Sequence, residues 1–319
     1  MNVRSLLPAA RLSIKQHAFE VVSATVLSLV VGVVALLIAY HFASLGTPAG
    51  CLETWLTSSA PASECGPYMR EFQRINEEEA SPIFGAMIFL PFIAGIVVGV
   101  PIVGRELESR TAHTAWWLEP SRSRWLARQI VAPCILLGVS IGFAAAAASI
   151  LQSMRELFSP AGAEAVSVIG WPVLFRGAAA LGIGLFLGSL LGRVLPALVL
   201  GAAMSFAIAA ATGSIQAQWL YGQVEPVVDD ANWHGHAYGV AYISPGGETF
   251  SETDAVALAP ADSPNPYDWL AVQGYREVPI GVSDSVALTW APYDIAIFGG
   301  AAIVSLLGSF IVVSRRRPQ

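Results

Sequence analysis

Two long apolar runs constrain this chain more than any other feature. Ile83–Val103 and Ile130–Ile150 contain no Asp, Glu, Lys or Arg. Each matches the roughly 20 residues that an α-helix needs to cross the hydrocarbon core of a bilayer. The whole chain is 55% hydrophobic and 13% charged, whereas soluble domains average about 25% charged residues. The sequence therefore predicts an all-α polytopic membrane protein.

Six apolar runs in all are candidates for transmembrane helices. They are Val21–Tyr40, Ile83–Val103, Ile130–Ile150, Val173–Leu191, Ala197–Thr212 and Trp290–Val313. The first run exceeds the roughly 7–15 apolar residues of a cleaved signal peptide, so we expect it to be retained. Residues 1–20 space three basic residues among apolar ones, as in an amphipathic helix lying in the membrane interface.

The basic residues predict the orientation. Six spans place both termini on one side of the membrane, and the segments expected there hold most of the 17 basic residues. Because Arg and Lys concentrate in cytoplasmic segments, the sequence predicts an N-in, C-in topology. Residues 289–319 would form the last helix and a basic cytoplasmic tail. The abundance of Ala, Gly and Arg is typical of a GC-rich bacterial genome, so we expect a bacterial plasma membrane.

A charged segment, residues 104–128, separates the second and third runs. Its arginine excess predicts a cytoplasmic location. In a helix, Glu106 and Arg110 would share one face, and Pro120–Ser121 would end one helix and cap the next. We expect its tryptophans at the headgroup level: Trp116, Trp117 and Trp125. The simplest interpretation is an ordinary cytoplasmic loop with interfacial tryptophans.

The residues of this segment also resemble a known family, the ABC-2-type permeases of ATP-driven transporters. The resemblance covers two short motifs at the end of one apolar helix and the start of the next. The matching residues are Arg105, Glu106, Glu108, Arg110 and Thr111, then Pro120, Ser121, Ser123, Arg124, Trp125 and Leu126. In that family a Gly often precedes the Thr, and here Arg110 stands in its place.

The resemblance implies a function. In such permeases this segment couples the membrane subunit to a separate ATP-binding subunit, so contact with that subunit is expected at Arg105, Glu106, Glu108, Arg110 and Thr111. The chain would pair with a second permease chain, identical or not, and act in transport, with export the expected direction. It would hold no cofactor itself, since ATP and Mg would bind to the partner subunit. The chain is therefore not expected to be an enzyme.

The position of the single lysine agrees with ATP binding by a separate subunit. A P-loop requires Lys directly after Gly to reach the phosphates, and Lys15 follows Ile14. The chain therefore cannot carry that nucleotide site.

The cysteines suggest a disulfide in the loop after the first span. Cys51 and Cys65 lie in one acidic stretch, and an oxidising exterior would favour their pairing. The bridge would be worth about 3 kcal/mol in the chain-entropy model, and two free thiols are the alternative. Cys134 lies inside the third span and is expected to pack as a small apolar residue.

Residues 213–288 form the largest polar block, which we expect to be a small, partly β extracytoplasmic cap rich in carboxylates. The alternation after His236, ended by Pro245–Gly247, predicts a strand entering a turn. His234 and His236 alone do not define a metal site, so none is predicted. The second functional hypothesis comes from this block: a membrane sensor or assembly partner that binds a ligand or protein without transport.

Residues 21–212, which contain the first five predicted spans, include few candidate functional side chains within the spans. Gly184, Gly188 and Gly192 repeat every four residues, which predicts a close helix–helix contact. Arg176 is expected to reach the headgroups from the outer end of its span, or else to meet Asp294, or to face a substrate path with it. An intramembrane enzyme is a weak third hypothesis because no span contains a catalytic constellation.

Overall fold

The computed structural model describes residues 16–46, 62–118, 121–155, 168–227, 235–260 and 265–316. Its helices are α1 (Ala18–Ser44), α2 (Ala62–Arg74), α3 (Ser81–Glu108), α4 (Thr111–Leu118), α5 (Arg122–Arg155), α6 (Trp171–Leu191), α7 (Val194–Tyr221), α8 (Glu252–Ala257), α9 (Pro266–Val272), α10 (Asp284–Leu288) and α11 (Ala291–Arg315). A π-helical turn, Ile75–Ala80, joins α2 to α3. The strands are β1 (Glu225–Pro226), β2 (Gly235–Ile243), β3 (Thr249–Ser251) and β4 (Arg276–Ser283).

Six helices are long and apolar enough to cross a membrane, which confirms the prediction of a mostly helical, multi-pass membrane protein. They are Ala18–Ser44, Cys65–Glu108, Arg122–Arg155, Trp171–Leu191, Val194–Tyr221 and Asp284–Arg315. The predicted interfacial helix over residues 1–20 falls mostly on residues 1–15, which lie outside the described residues.

Two of these helices are longer than the apolar runs indicated. The second span reaches back into a stretch expected to be a loop, where Arg74 pairs with Glu71 at 2.7 Å and with Glu78 at 3.5 Å. Pairs three and four residues apart stabilise a helix even where it is polar. The fifth span, expected to end at Thr212, continues to Tyr221 because residues 213–221 contain neither a proline nor a charge.

The described residues fall into two compact units. The helical unit comprises α1–α6, α11 and α7 up to Thr212, and the sheet unit comprises the described residues between Gly213 and Trp290. In the helical unit, α6 packs against both α3 and α11, and α1 packs against α5. Its core contains the fully buried side chains of Met87, Ile102, Leu126, Ile141 and Leu185.

The sheet unit contains a four-stranded antiparallel sheet in the order β1-β4-β2-β3. The turn between β2 and β3 contains Gly247, whose φ of 84° suits glycine. Ser251 caps α8 and Asn265 caps α9 by accepting backbone N–H groups. Burial raises the pKa of the Tyr242 phenol to about 12, and its hydroxyl donates to Glu277 at 3.2 Å.

Candidate functional site

Residues 104–128 contain the last turn of α3, the short helix α4 and the first turns of α5, at one end of the helical unit. Helix α3 ends at Glu108, α4 begins at Thr111, and α5 begins at Arg122. Glu119 and Pro120 lie outside the described residues. The hydroxyl of Ser121 accepts the backbone N–H of Arg124 at 3.2 Å, so it caps α5 as predicted.

Arg110 holds the turn between α3 and α4 in the left-handed conformation, with a φ of 62°. Among the described non-glycine residues it alone has a positive φ. An L-residue with a Cβ pays about 1–2 kcal/mol in this region, and glycine does not. The geometry therefore gives a physical reason for the glycine that often stands at this position in the resembled family.

Replacing Arg110 with Gly should preserve the turn and leave the stability of the fold unchanged or higher by up to about 1 kcal/mol, because relief of strain offsets the greater freedom of the unfolded chain. Arg110→Val should destabilise the turn, since a β-branched residue tolerates a positive φ poorly. Thermal unfolding of the purified variants in detergent checks both. Equal destabilisation by Gly and Val would show that the guanidinium, and not the backbone, matters at this position.

Glu106 and Thr111 close this turn through their side chains. The Thr111 hydroxyl donates to the Glu106 carboxylate at 2.5 Å, and it lies 2.8 Å from the Ser109 hydroxyl. Because α3 has ended before Arg110, that residue does not continue the helical face on which Glu106 lies. The expectation of a shared helical face for Glu106 and Arg110 was therefore wrong, and Thr111 is the partner of Glu106.

Arg105 ties the segment to the start of the first span. Its guanidinium lies 3.2 Å from a carboxylate oxygen of Glu20, near the beginning of α1. His17 is buried beside this pair. Burial lowers the pKa of its imidazole, against the opposing influence of Glu20 and Glu106. Because a neutral imidazole carries no charge, the ion pair of the Glu20 carboxylate is with Arg105.

Glu108 caps a helix from another part of the chain. Its carboxylate accepts the backbone N–H of Val194, the first residue of α7, at 3.0 Å. A carboxylate at a helix N-terminus satisfies an otherwise unpaired donor and interacts favourably with the helix dipole. Glu108 therefore fixes the end of α3 to the turn between α6 and α7.

Two tryptophans of the segment pack against each other. Trp125 is buried, and its ring meets Trp116 edge to face at a centroid distance of 6.0 Å. The guanidinium of Arg122 lies over the Trp116 ring at 4.8 Å. These two indoles pack α4 against α5, and their predicted depth at the headgroup level stays a prediction. The side chain of Trp117 lies outside the described residues.

The glycines of α6 fall into two groups. A Cβ added at Gly184 would lie 3.1 Å from the backbone nitrogen of Val100, and one at Gly188 would lie 2.6 Å from the carbonyl oxygen of Val100. These two glycines thus place the backbones of α6 and α3 in direct contact. Gly192 has a different role: it ends α6 with a left-handed φ of 62°.

Arg176 and Asp294 form a buried, two-pronged ion pair between α6 and α11. Their side chains join at 3.0 and 2.8 Å, and the residues are 5% and 0% exposed. The Arg176 guanidinium also lies 5.1 Å from the ring centroid of Phe298. Of the possibilities for Arg176, the contact with Asp294 is therefore observed, and the expectation that it reaches the headgroups was wrong.

The remaining predicted sites lie only partly among the described residues. Cys51 lies outside the described residues, so its pairing with Cys65 stays a prediction. Cys134 is a free thiol within α5. In the described part of the chain, no group of three His, Cys, Asp or Glu side chains could hold a metal ion. His234 lies outside that part.

The fold and sequence together define the class of protein: a multi-pass membrane protein with a charged helical turn between its second and third spans. Residues 20–216 match the family described as ABC-2 membrane transporter related, and the chain belongs to that family. The matched region contains segment 104–128 and ends before the strands of the sheet unit. Searches of curated proteins and of solved structures found no match.

Proposed function

We propose that this chain is the membrane-spanning half of an ABC-type exporter, driven by ATP that a separate cytoplasmic subunit hydrolyses. Membership of the ABC-2 family supports a permease. The observation that carries the coupling role is the short helix α4 at one end of the helical unit. It packs on α5 through Trp116 and Arg122, and it follows the end of α3, which bonds to α1 and α7. In this proposal a second permease chain completes the pathway, and ATP with Mg binds to the partner.

The contacts of the segment divide its residues into two roles. Arg105, Glu106 and Glu108 bond within the chain, to Glu20, Thr111 and Val194. They shape the segment and pass its displacement to α1 and α7. Arg110 and Arg124 are exposed, so they are the cations offered to the ATP-binding subunit.

The proposed topology places this end of the helical unit in the cytoplasm. Arg193 and Arg315 lie exposed at neighbouring helix ends, and an excess of arginine favours the cytoplasmic face. Both termini would then be cytoplasmic, and the acidic sheet unit would lie outside a bacterial plasma membrane.

A second candidate function is favoured by the sheet unit. It is a compact unit with its own buried cluster around Tyr242, Ala255 and Leu270, and the family match ends before its strands. A protein that binds a ligand or an assembly partner through this unit, without transport, would need such a domain and no ATP-binding subunit.

Affinity purification of the chain from its native membrane separates these functions. We expect a protein carrying a P-loop to co-purify, and Arg124→Glu to reduce its recovery about tenfold or more because reversing an interfacial charge costs several kcal/mol. Arg315→Glu makes the same charge change outside the segment and should retain the partner. Isolation without any P-loop protein would contradict the transporter and favour the sensor.

A further inference from the structure

Two arginines at the segment end of the helical unit each cap a helix other than their own. Arg122, the first residue of α5, donates to the carbonyl oxygen of Ser314 at 3.4 Å and to that of Arg316. Arg316 follows α11 and donates to the carbonyl oxygen of Ser189, in the last turn of α6, at 2.6 Å. The last carbonyls of a helix lack intrahelical partners and carry negative partial charge, so cations are favourable there.

The geometry around Gly192 fits this arrangement. A Cβ added at Gly192 would lie 2.7 Å from a terminal nitrogen of the Arg316 guanidinium. Glycine therefore serves two needs here: it allows the left-handed turn that ends α6, and it leaves room for the guanidinium over the helix end.

The same contacts reach α4. Arg122 lies over the ring of Trp116 in α4 while it donates to the end of α11. A continuous series of contacts thus runs from α4 through Arg122 to Arg316 and on to Ser189 of α6. Arg315, the neighbour of Arg316, is exposed.

We infer that Arg316 is a positioning residue for coupling: it fixes α4 and the start of α5 against the ends of α6 and α11. This inference rests on the proposed role of segment 104–128. In the permease, motion of α4 would be transmitted to α11 through the Arg122 cap and on to α6 through the Arg316 cap. Loss of the Arg122 cap would free α4 from both helices, and loss of the Arg316 cap would free it from α6.

Hydrogen exchange of the whole chain in lipid nanodiscs, without the ATP-binding subunit, tests the inference. Arg316→Gln and Arg122→Gln should each raise amide exchange over residues 111–125 about tenfold, because a hydrogen bond to a charged group is lost. Arg316→Lys should restore most of the protection, since an ammonium can still donate to Ser189. Arg315→Gln is the matched control and should behave as the unchanged protein.

Unchanged exchange over residues 111–125 in Arg316→Gln would overturn the inference. So would an equal rise over residues 177–187, in the middle of α6, because the effect would then be global unfolding. ATP hydrolysis by the assembled complex of Arg316→Gln should fall several-fold, and Arg316→Lys should recover it. Raised exchange with normal hydrolysis would uphold the positioning by Arg316 and contradict the proposed coupling role of the segment, so the two failures are distinguishable.

Discussion

Replacing Arg176 with Ala should destabilise the helical unit by about 3–5 kcal/mol, because it leaves the Asp294 carboxylate buried without its partner. Asp294 is 0% exposed, and Arg176 donates to both of its oxygens. Asp294→Ala should cost a similar amount for the same reason. Thermal unfolding of detergent-purified variants, followed by circular dichroism, measures the loss.

A double variant tests whether the lost stability comes from leaving one buried charge without its partner. Arg176→Met with Asp294→Leu removes both charges and should recover most of the lost stability, since apolar residues often replace a buried ion pair without cost. Arg193→Ala removes an exposed arginine and serves as the control. Single variants as stable as this control would refute the claim that the buried pair holds α11 to α6.

The second large effect is expected at the contact between α3 and α6. A Cβ at Gly99 would lie 2.5 Å from the carbonyl oxygen of Leu181, and one at Gly188 would lie 2.6 Å from that of Val100. Both obstacles are backbone atoms, so the helices must separate. We expect Gly99→Ala and Gly188→Ala to cost about 1–3 kcal/mol each, and Leu at either position to prevent folding.

Gly138 provides the matched control, because it lies within α5 and a Cβ there would meet nothing within 4 Å. Gly138→Ala should be neutral, or stabilising by up to about 1 kcal/mol through helix propensity. Thermal unfolding and the yield of folded monomer report the difference. If Gly188→Ala matched Gly138→Ala, the close packing of α3 on α6 would not contribute to stability.

Periodicity and composition predicted the spans because membrane-length apolar runs leave few alternatives. They located Ile83–Val103 and Ile130–Ile150 within α3 and α5, and charge spacing marked segment 104–128 between them. Helix ends were predicted less well. The apolar run gave no sign that the second span reaches back to Cys65 through a π-helical turn, since there the helix depends on pairs such as Arg74 with Glu71.

The partners of Arg105, Glu108 and Arg122 could not be predicted, because they lie far away in sequence. Glu108 bonds to Val194, and Arg122 to Arg316. A local reading paired Glu106 with Arg110, but the left-handed φ of Arg110 ends that helical face. The one local signal for this turn was that the resembled family often has a Gly where this chain has Arg110. Nothing local indicated the two caps at the ends of α6 and α11.

The central claim is that segment 104–128 couples this permease to ATP hydrolysis in another subunit. It is tested most directly by the ATPase rate of the complex reconstituted in lipid, for Glu106→Arg and Glu108→Arg beside the unchanged protein. Glu108→Gln is the control, since its amide oxygen can still accept the N–H of Val194. The account predicts that both charge reversals lower permease-dependent hydrolysis by an order of magnitude or more while the proteins still insert, and that Glu108→Gln retains most of it. Unchanged rates in both Arg variants would contradict it.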